Sequence, residues 1–247
     1  MIFSFFRKKE KGVKKRGPHL KVDLHSHLIP KIDDGSQSIE ESLILLKGLE
    51  TLGYKKLITT PHIMSDSYKN STENIGYGLE KLRTLIKNEN IALEIDAAAE
   101  YYLDDAFFNE LKKPNIMSVS GKYILFESSY ISKPLQMEEM IFAIGEAGYQ
   151  PILAHPERYR YIRDPEKEYA RFKELGVLFQ VNLNSFVGYY GKNAALLANY
   201  LNKAGMIDFL GSDTHHKKHI DSLSEVFCSD VYHSIFKYNT IKNDTLL

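Results

Sequence analysis

Residues 22–36 read VDLHSHLIPKIDDGS. A short apolar run ends in two histidines one residue apart, and a pair of aspartates follows a few positions on. In an extended strand, side chains two apart point to the same side. Asp23, His25 and His27 are therefore expected to face one way. Three cation-binding groups on one face, at the end of a strand, point to a metal site.

The same punctuation recurs along the chain. β-rich runs stand at KVDLH (21–25), KKLITT (55–60), ALEIDAAA (92–99), KYILFE (122–127), QPILAH (150–155), LFQVNL (178–183) and IDFLGS (207–212). Between them apolar residues repeat at helical spacing: SIEESLILLKGLETLG (38–53), NIGYGLEKLRTLIKNEN (74–90), PLQMEEMIFAIGEAG (134–148), EKEYARFKELG (166–176) and NAALLANYLNKAG (193–205). The first carries the clearest signals, with Ser38 as cap, Glu41 completing a capping box and Gly53 as stop. A further helix is expected after residue 219. Repeated strand–helix alternation implies parallel strands joined by right-handed crossovers, in an open doubly wound sheet or a closed barrel.

The polar residues decide between the two. His25 and His27 end strand one, His62 strand two, Glu100 strand three, Glu127 strand four, His155 strand five, Asn182 and Asn184 strand six, and Asp213 and His215 strand seven. In an α/β barrel every strand's C-terminal end faces one mouth; an open sheet offers only a crevice at its switch point. The expected fold is α/β, a closed seven-stranded barrel, as a single domain over residues 21–247.

A chain of 247 residues can bury one full core. Lys plus Arg and Asp plus Glu balance at 32 each, so no overall field favours nucleic acid. One cysteine excludes a disulfide framework and a thiolate zinc knuckle. Cys228 has Ser234 rather than arginine six residues on, so a cysteine-nucleophile phosphatase loop is absent and Cys228 reads as structural. No run approaches the ~18 apolar residues of a membrane helix. Residues 1–20 place an apolar-aromatic start ahead of basic charge, unlike a signal peptide. They are expected to form a disordered, solvated basic tail. The sharper alternative is weak contact with an anionic membrane surface or an acidic partner, and the chain is expected in the cytoplasm.

Taken singly, each strand-end residue has a plain explanation, since a lone histidine there is more often a hydrogen-bonded residue than a ligand. Glu127 alone is a solvated charge at a loop start, and AAAEYY could begin a helix at Glu100. Jointly, five histidines and three carboxylates at one structural level are hard to explain except as a metal site. Imidazole and carboxylate without thiolate suit Mn, Fe, Zn or similar divalent ions. So many ligands imply two or three ions sharing a carboxylate, and hence a metal-dependent hydrolase in which an activated water attacks.

Arg158, three residues past His155, offers a fork suited to phosphate; the plain alternative is a rim salt bridge with Glu157 or Asp164. Lys217, Lys218 and His219 are either an anion-steering rim or a solvated run. Tyr101, Tyr102, Tyr159, Tyr161, Tyr189 and Tyr190 cluster near the expected mouth, either to stack on an aromatic substrate or as rim packing.

DLHSH, TTPH, AAAEYY, LFE, LAHPERY and GSDTHH, in this order and spacing, resemble the PHP (polymerase and histidinol phosphatase) superfamily. Within it, HSHLIPKIDDGS, ITTPH, AEYYL and AHPERY resemble the bacterial protein-tyrosine phosphatases linked to capsular and exopolysaccharide synthesis, over roughly residues 20–225. The resemblance implies a distorted (βα)7 barrel with three divalent ions, commonly manganese. By motif, His25, His27, Glu100 and Asp213 would hold the first ion, with Glu100 bridging. Glu127 and His155 would complete the second. Asp34, in preference to its neighbour Asp33, would join His62 and His215 at the third. The implied catalytic groups are Arg158, Asp34 and His62, with Arg158 and Lys217 on the substrate phosphate. Family members often carry a second arginine after SDxH; SDTHHKKHIDSL has none.

The implied reaction is hydrolysis of a phosphate monoester, foremost phosphotyrosine on a protein, by a metal-bridging hydroxide. The implied partner is a bacterial tyrosine kinase of polysaccharide export. Alternatives are a small-molecule phosphatase of the histidinol-phosphate type, a nuclease or phosphodiesterase, which would want a basic groove, and a non-catalytic binding barrel, which would have little use for a full ligand set.

Overall fold

The computed structural model describes residues 20–247. Residues 1–19, and with them nearly all of the expected tail, lie outside the described residues; Leu20 is already buried in the core. The elements run β1 (Val22–Asp23), α1 (Ile39–Leu52), β2 (Lys56–Thr59), β3 (His62–Ile63), α2 (Thr72–Asn88), β4 (Glu94–Ala97), β5 (Glu100–Tyr102), α3 (Phe107–Glu110), β6 (Tyr123–Glu127), α4 (Met137–Glu146), β7 (Gln150–Ala154), α5 (Pro165–Glu174), β8 (Leu178–Asn182), α6 (Lys192–Lys203), β9 (Phe209–Gly211), α7 (Lys217–Phe227) and α8 (Asp230–Tyr238). No helix among the described residues is long and apolar enough to cross a membrane.

These strands are seven passes of the chain, because two passes are broken in the middle. Pro61, which has no amide hydrogen to give, separates β2 from β3, and Ala98–Ala99 separate β4 from β5. All pairings are parallel, in the orders β1-β2-β4 and β3-β5-β6-β7-β8-β9. Single backbone bonds bridge the breaks: Thr60 N to Ser26 O at 2.7 Å, Ala98 N to Thr59 O at 2.9 Å and Glu100 N to Pro61 O at 3.1 Å. The first and last passes meet through Asp213 N to His25 O at 2.8 Å and His27 N to Thr214 O at 2.9 Å, around a parallel bridge between Ser26 and Thr214. This is the expected (βα)7 barrel, distorted because its seams are isolated bonds rather than full ladders.

Alternation within the strands sorts two cores. Val22, Leu24, Ile58, Leu125, Ile152 and Phe209 form one cluster, which fills the barrel. Leu57, Ile95, Phe126, Leu153, Phe179 and Leu210 have the opposite parity and join the larger cluster under the helices. Ser38 caps α1 by accepting from Glu41 N, and Gly53 ends it at φ 101°. The capping box is half formed, because the Glu41 carboxylate accepts from Gln37 N instead. Gly148, Gly176 and Gly205 likewise take positive φ after α4, α5 and α6, the left-handed stop that glycine tolerates best.

Two expectations change. The alternation expected for Asp23, His25 and His27 stops at Asp23, where β1 ends. Asp23 turns to the last pass, accepting from Ser212 N at 2.8 Å and Ser212 Oγ at 2.6 Å. Its burial pushes the carboxyl up to about 6 even against those hydrogen bonds, and it ties the barrel shut rather than binding a cation. Cys228, read as structural, is the exposed C-cap of α7. The region after residue 219 holds two helices, α7 and α8, instead of one.

Asp23→Ala would leave the buried Ser212 amide unpaired and its hydroxyl with only the His25 carbonyl at 3.2 Å, and an unpaired buried donor costs about 1–3 kcal/mol. Urea unfolding should show a loss of roughly 1–3 kcal/mol; an unchanged midpoint would refute the seam role.

Candidate metal centre

β6 carries Tyr123 and Leu125 into the barrel, so Glu127, two further on, emerges at its mouth. By the same parity Ile58 leads across the break to His62, and Phe209 leads past Gly211 to Asp213. His155 has the wrong parity, since Ile152 and Ala154 point inward. It reaches the pocket because its backbone is left-handed, at φ 34°. Asp213 also sits at φ 49°. Non-glycine residues held there cost roughly 1–3 kcal/mol each and mark functional positions. The IDDGS turn folds back so closely that a Cβ on Gly35 would lie 2.3 Å from His27 O. Only glycine lets Asp33 and Asp34 reach the mouth.

The nine expected ligands converge. Donor atoms within 4.8 Å of one another define four overlapping groups: His27, Asp34, His62 and His215; His25, Glu100 and His155; His25, His27 and Asp213; and His62, Glu100 and Glu127. Glu100 is central, with Oε2 3.2 Å from His25 Nε2 and Oε1 3.0 Å from His155 Nε2. Asp34 Oδ1 lies 3.4 Å from both His62 Nε2 and His215 Nε2. The groups overlap more than the motif assignment implies: His27 also approaches the Asp34 group, and His62 Nδ1 also faces Glu127 and Glu100 at 3.1 Å.

Outer partners aim the rings. Gln180 Oε1 is 2.7 Å from His25 Nδ1, Asp33 Oδ2 2.8 Å from His27 Nδ1, and the Asp213 carbonyl 3.0 Å from His215 Nδ1. Those oxygens only accept, so each Nδ1 donates and Nε2 is the ring nitrogen left facing the cluster, the usual arrangement behind metal-binding histidine. His25 Nε2 and His27 Nε2 face each other at 3.2 Å, and His62 Nδ1 faces only the Glu100 and Glu127 carboxylates. Ring nitrogens and carboxylates converging this way fit divalent cations.

The electrostatics say the same. Burial would lower the His25 pKa, but Glu100 and Asp213 outweigh it and raise it to about 10. His215, also opposed by burial, rises to about 8 through Asp213 and Asp34. Burial opposes ionisation of Glu100 and Asp213, yet the imidazoles hold both well below the usual carboxylate range. The pocket demands positive charge, from protons or from metal.

Arg158 stands beside the cluster. Nη1 donates to Asp213 Oδ2 at 3.0 Å, and the guanidinium lies 4.6 Å from the Tyr130 ring centre and 4.3 Å from that of Tyr190. Neither Glu157 nor Asp164 takes it: Glu157 is buried against Ser185 and Asn182, and Asp164 caps α5. Arg158, Tyr130 and Tyr190 border both an inner chamber of about 300 Å³ and a cleft of about 760 Å³ beyond it.

Lys217 is not brought to this place. It pairs with Asp221 at 2.7 Å on the outside of α7, and lines neither chamber nor cleft. His219 borders the chamber, with burial lowering its pKa to about 3. Asn182 donates to Asp213 Oδ2 at 2.6 Å, whereas Asn184 holds the His219 carbonyl. Of the tyrosines, Tyr102 and Tyr190 line the cleft; Tyr101 and Tyr159 are buried, with hydroxyls bonded to backbone; Tyr161 bonds Ser128; and Tyr189 packs on His219. Gln180, Tyr130 and Tyr68, which stacks on His62 at 5.4 Å, escaped the sequence reading. Gln180 had a signal, since it shares the inward parity of Asn182.

The family profile for capsular polysaccharide synthesis proteins, CpsB/CapC, matches residues 21–226. The chain belongs to that family. Tyrosine-protein phosphatase YwqE of Bacillus subtilis is 29% identical over 198 residues, covering 80% of this chain and 78% of its own. Tyrosine-protein phosphatase CpsB of Streptococcus pneumoniae is 27% identical over 201 residues, covering 79% and 83%. A chain from the crystal structures of YwqE and CpsB, described as metal-dependent tyrosine phosphatases, superposes with a TM-score of 0.76 at 26% identity, covering 89% of this chain and 96% of its own.

Because His215 and His25 hold protons up to about 8 and 10 without metal, cation binding must displace them. Manganese affinity should rise by roughly tenfold per pH unit for each proton displaced between about pH 6 and 8. Titration calorimetry in buffers of different ionisation heat should show net proton release; release of none would contradict the geometry.

Proposed function

We propose that this chain is a protein-tyrosine phosphatase of capsular or exopolysaccharide synthesis, using three divalent ions, Mn most readily and Fe or Zn as substitutes. The observation that carries the proposal is Arg158, a fixed guanidinium beside the ligand cluster and at the entrance of a tyrosine-lined cleft. His25, His27, Glu100 and Asp213 would hold one ion, Glu100, Glu127 and His155 a second, and Asp34, His62 and His215 a third. Such ions supply Lewis acidity and ionise water near neutral pH.

The chain's own groups do the rest. Arg158 presents paired N–H donors to phosphate oxygens, matching the planar fork such groups prefer. Tyr130 and Tyr190 keep it from swinging free, and Asp213 supports it from behind. Tyr68 and Tyr102 offer faces along which a substrate ring can lie. The ring's oxygen leaves as a phenolate of pKa about 10, so one proton or nearby positive charge suffices. Asn182, bonded to Asp213, and Gln180, bonded to His25, hold the ligands in register during turnover.

The substrate is a phosphotyrosine protein, and a tyrosine kinase of polysaccharide export fits the family. The enzyme would work in the cytoplasm, with the basic residues ahead of Leu20 giving weak contact with anionic membrane. Lys217 is a poor phosphate ligand while it pairs with Asp221, which leaves Arg158 as the arginine of the site.

A manganese-supplemented assay over phosphorylated peptides, amino acids and metabolites should show preference for phosphotyrosine. His27→Ala and Asp213→Ala should each lower turnover by at least about 100–1000-fold while circular dichroism stays unchanged; retained activity would refute the cluster's role. Tyr190→Leu should raise KM more than it lowers kcat, costing about two- to thirtyfold in kcat/KM, and Tyr190→Phe should restore most of it. Equal losses in both would deny the clamp.

A further inference from the structure

Two cations in the cleft have no part in the mechanism above. Arg160 and Lys192 line the 760 Å³ cleft but not the inner chamber formed by Glu100, His155 and Asp213. Both are exposed, and neither is ion-paired among the described residues. Elsewhere on the surface Arg83 pairs with Asp96 at 2.8 Å and Arg171 with Glu138 at 2.6 Å. The carboxylates lining the cleft, Asp34 and Glu127, both belong to the ligand cluster. Beyond the cluster, then, the cleft holds positive charge without a counter-charge.

Local structure fixes where that charge sits. Arg160 N donates to Tyr130 O at 2.7 Å, so the Arg160 backbone is tied to the residue whose ring stacks on Arg158. Lys192 opens α6 behind Gly191, which brings no side-chain cap. The helix's partial positive end therefore adds to the lysine. A phosphotyrosine engaged at Arg158 would leave this outer wall for its neighbours in the peptide.

We propose that Arg160 and Lys192 form a second anion subsite. It accepts a negatively charged group, a carboxylate or a second phosphate, on the residue beside the phosphotyrosine being hydrolysed. The proposal rests on the phosphotyrosine reading and adds to it a rule for choosing among phosphotyrosines.

The test uses the full-length, manganese-loaded protein and four substrates. These are p-nitrophenyl phosphate and three matched phosphotyrosine peptides whose flanking residues are neutral, glutamate or a second phosphotyrosine. The wild type should favour the charged peptides by about five- to twentyfold in kcat/KM, as expected of two partly screened contacts. The preference should lie in KM and shrink as salt rises from about 0.05 to 0.5 M. R160Q/K192Q should treat all three peptides like the neutral one and turn over p-nitrophenyl phosphate as before. A preference confined to one charged peptide identifies the anion as carboxylate or phosphate. Equal rates on all peptides by the wild type, or a uniform loss in the double variant, would overturn the subsite. R160Q and K192Q alone give the same reading if the double variant folds poorly. Failure of the wild type on every substrate, p-nitrophenyl phosphate included, would instead count against the phosphatase reading.

Discussion

Negative charge buried at the mouth of a barrel is the constraint on which everything else depends. Glu100, Glu127 and Asp213 are almost wholly withdrawn from water, and isolated carboxylates in that position are costly. Five imidazoles and one guanidinium surround them, so the site is tenable when protons or metal ions balance the acids. The outer partners favour metal: with Nδ1 donating at His25, His27 and His215, the inward nitrogens are the ones left to serve as ligands once any proton on them is displaced. A cluster kept only for stability would gain from replacing such groups with apolar side chains.

The barrel delivers this cluster by a simple rule with two exceptions. Residues continuing the inward parity of their strands emerge at the mouth, which accounts for His62, Glu100, Glu127, Gln180, Asn182 and Asp213. The exceptions are the first pass, where regular pairing stops after Asp23, and the fifth, where His155 twists into a left-handed conformation. Asp23 binds Ser212 across the seam between the first and last passes, and His155 begins the turn that carries Arg158. The breaks at Pro61 and at Ala98–Ala99 fall just before the ligands His62 and Glu100.

The repetition of strand, polar tip and helix made the seven passes and eight of the nine ligand candidates legible from residues alone, because periodicity and type suffice for both; Asp34, on the turn after the first pass, came only from the family resemblance. Two kinds of feature were not legible. The supporting role of a side chain, such as Gln180 behind His25 or Tyr130 over Arg158, has no local signature even where strand parity turns the residue inward, for that role is set by what stands across the barrel. Charge near a motif also says nothing of direction: Lys217 follows the last ligands closely, yet the first turn of α7 points it outward to Asp221. The short α3 and the splitting of the C-terminal segment into α7 and α8 depend on tertiary packing that weak local patterns do not encode.

The left-handed backbones at His155 and Asp213 have an evolutionary consequence. Glycine would relax both positions, so backbone strain alone disfavours the histidine and the aspartate. Their presence sets backbone ease against the reach of two ligands into the mouth. Engineers seeking a hardier version would meet a trade-off at residues 155 and 213 first, and a lineage that lost its ions would be free to drift there before anywhere else.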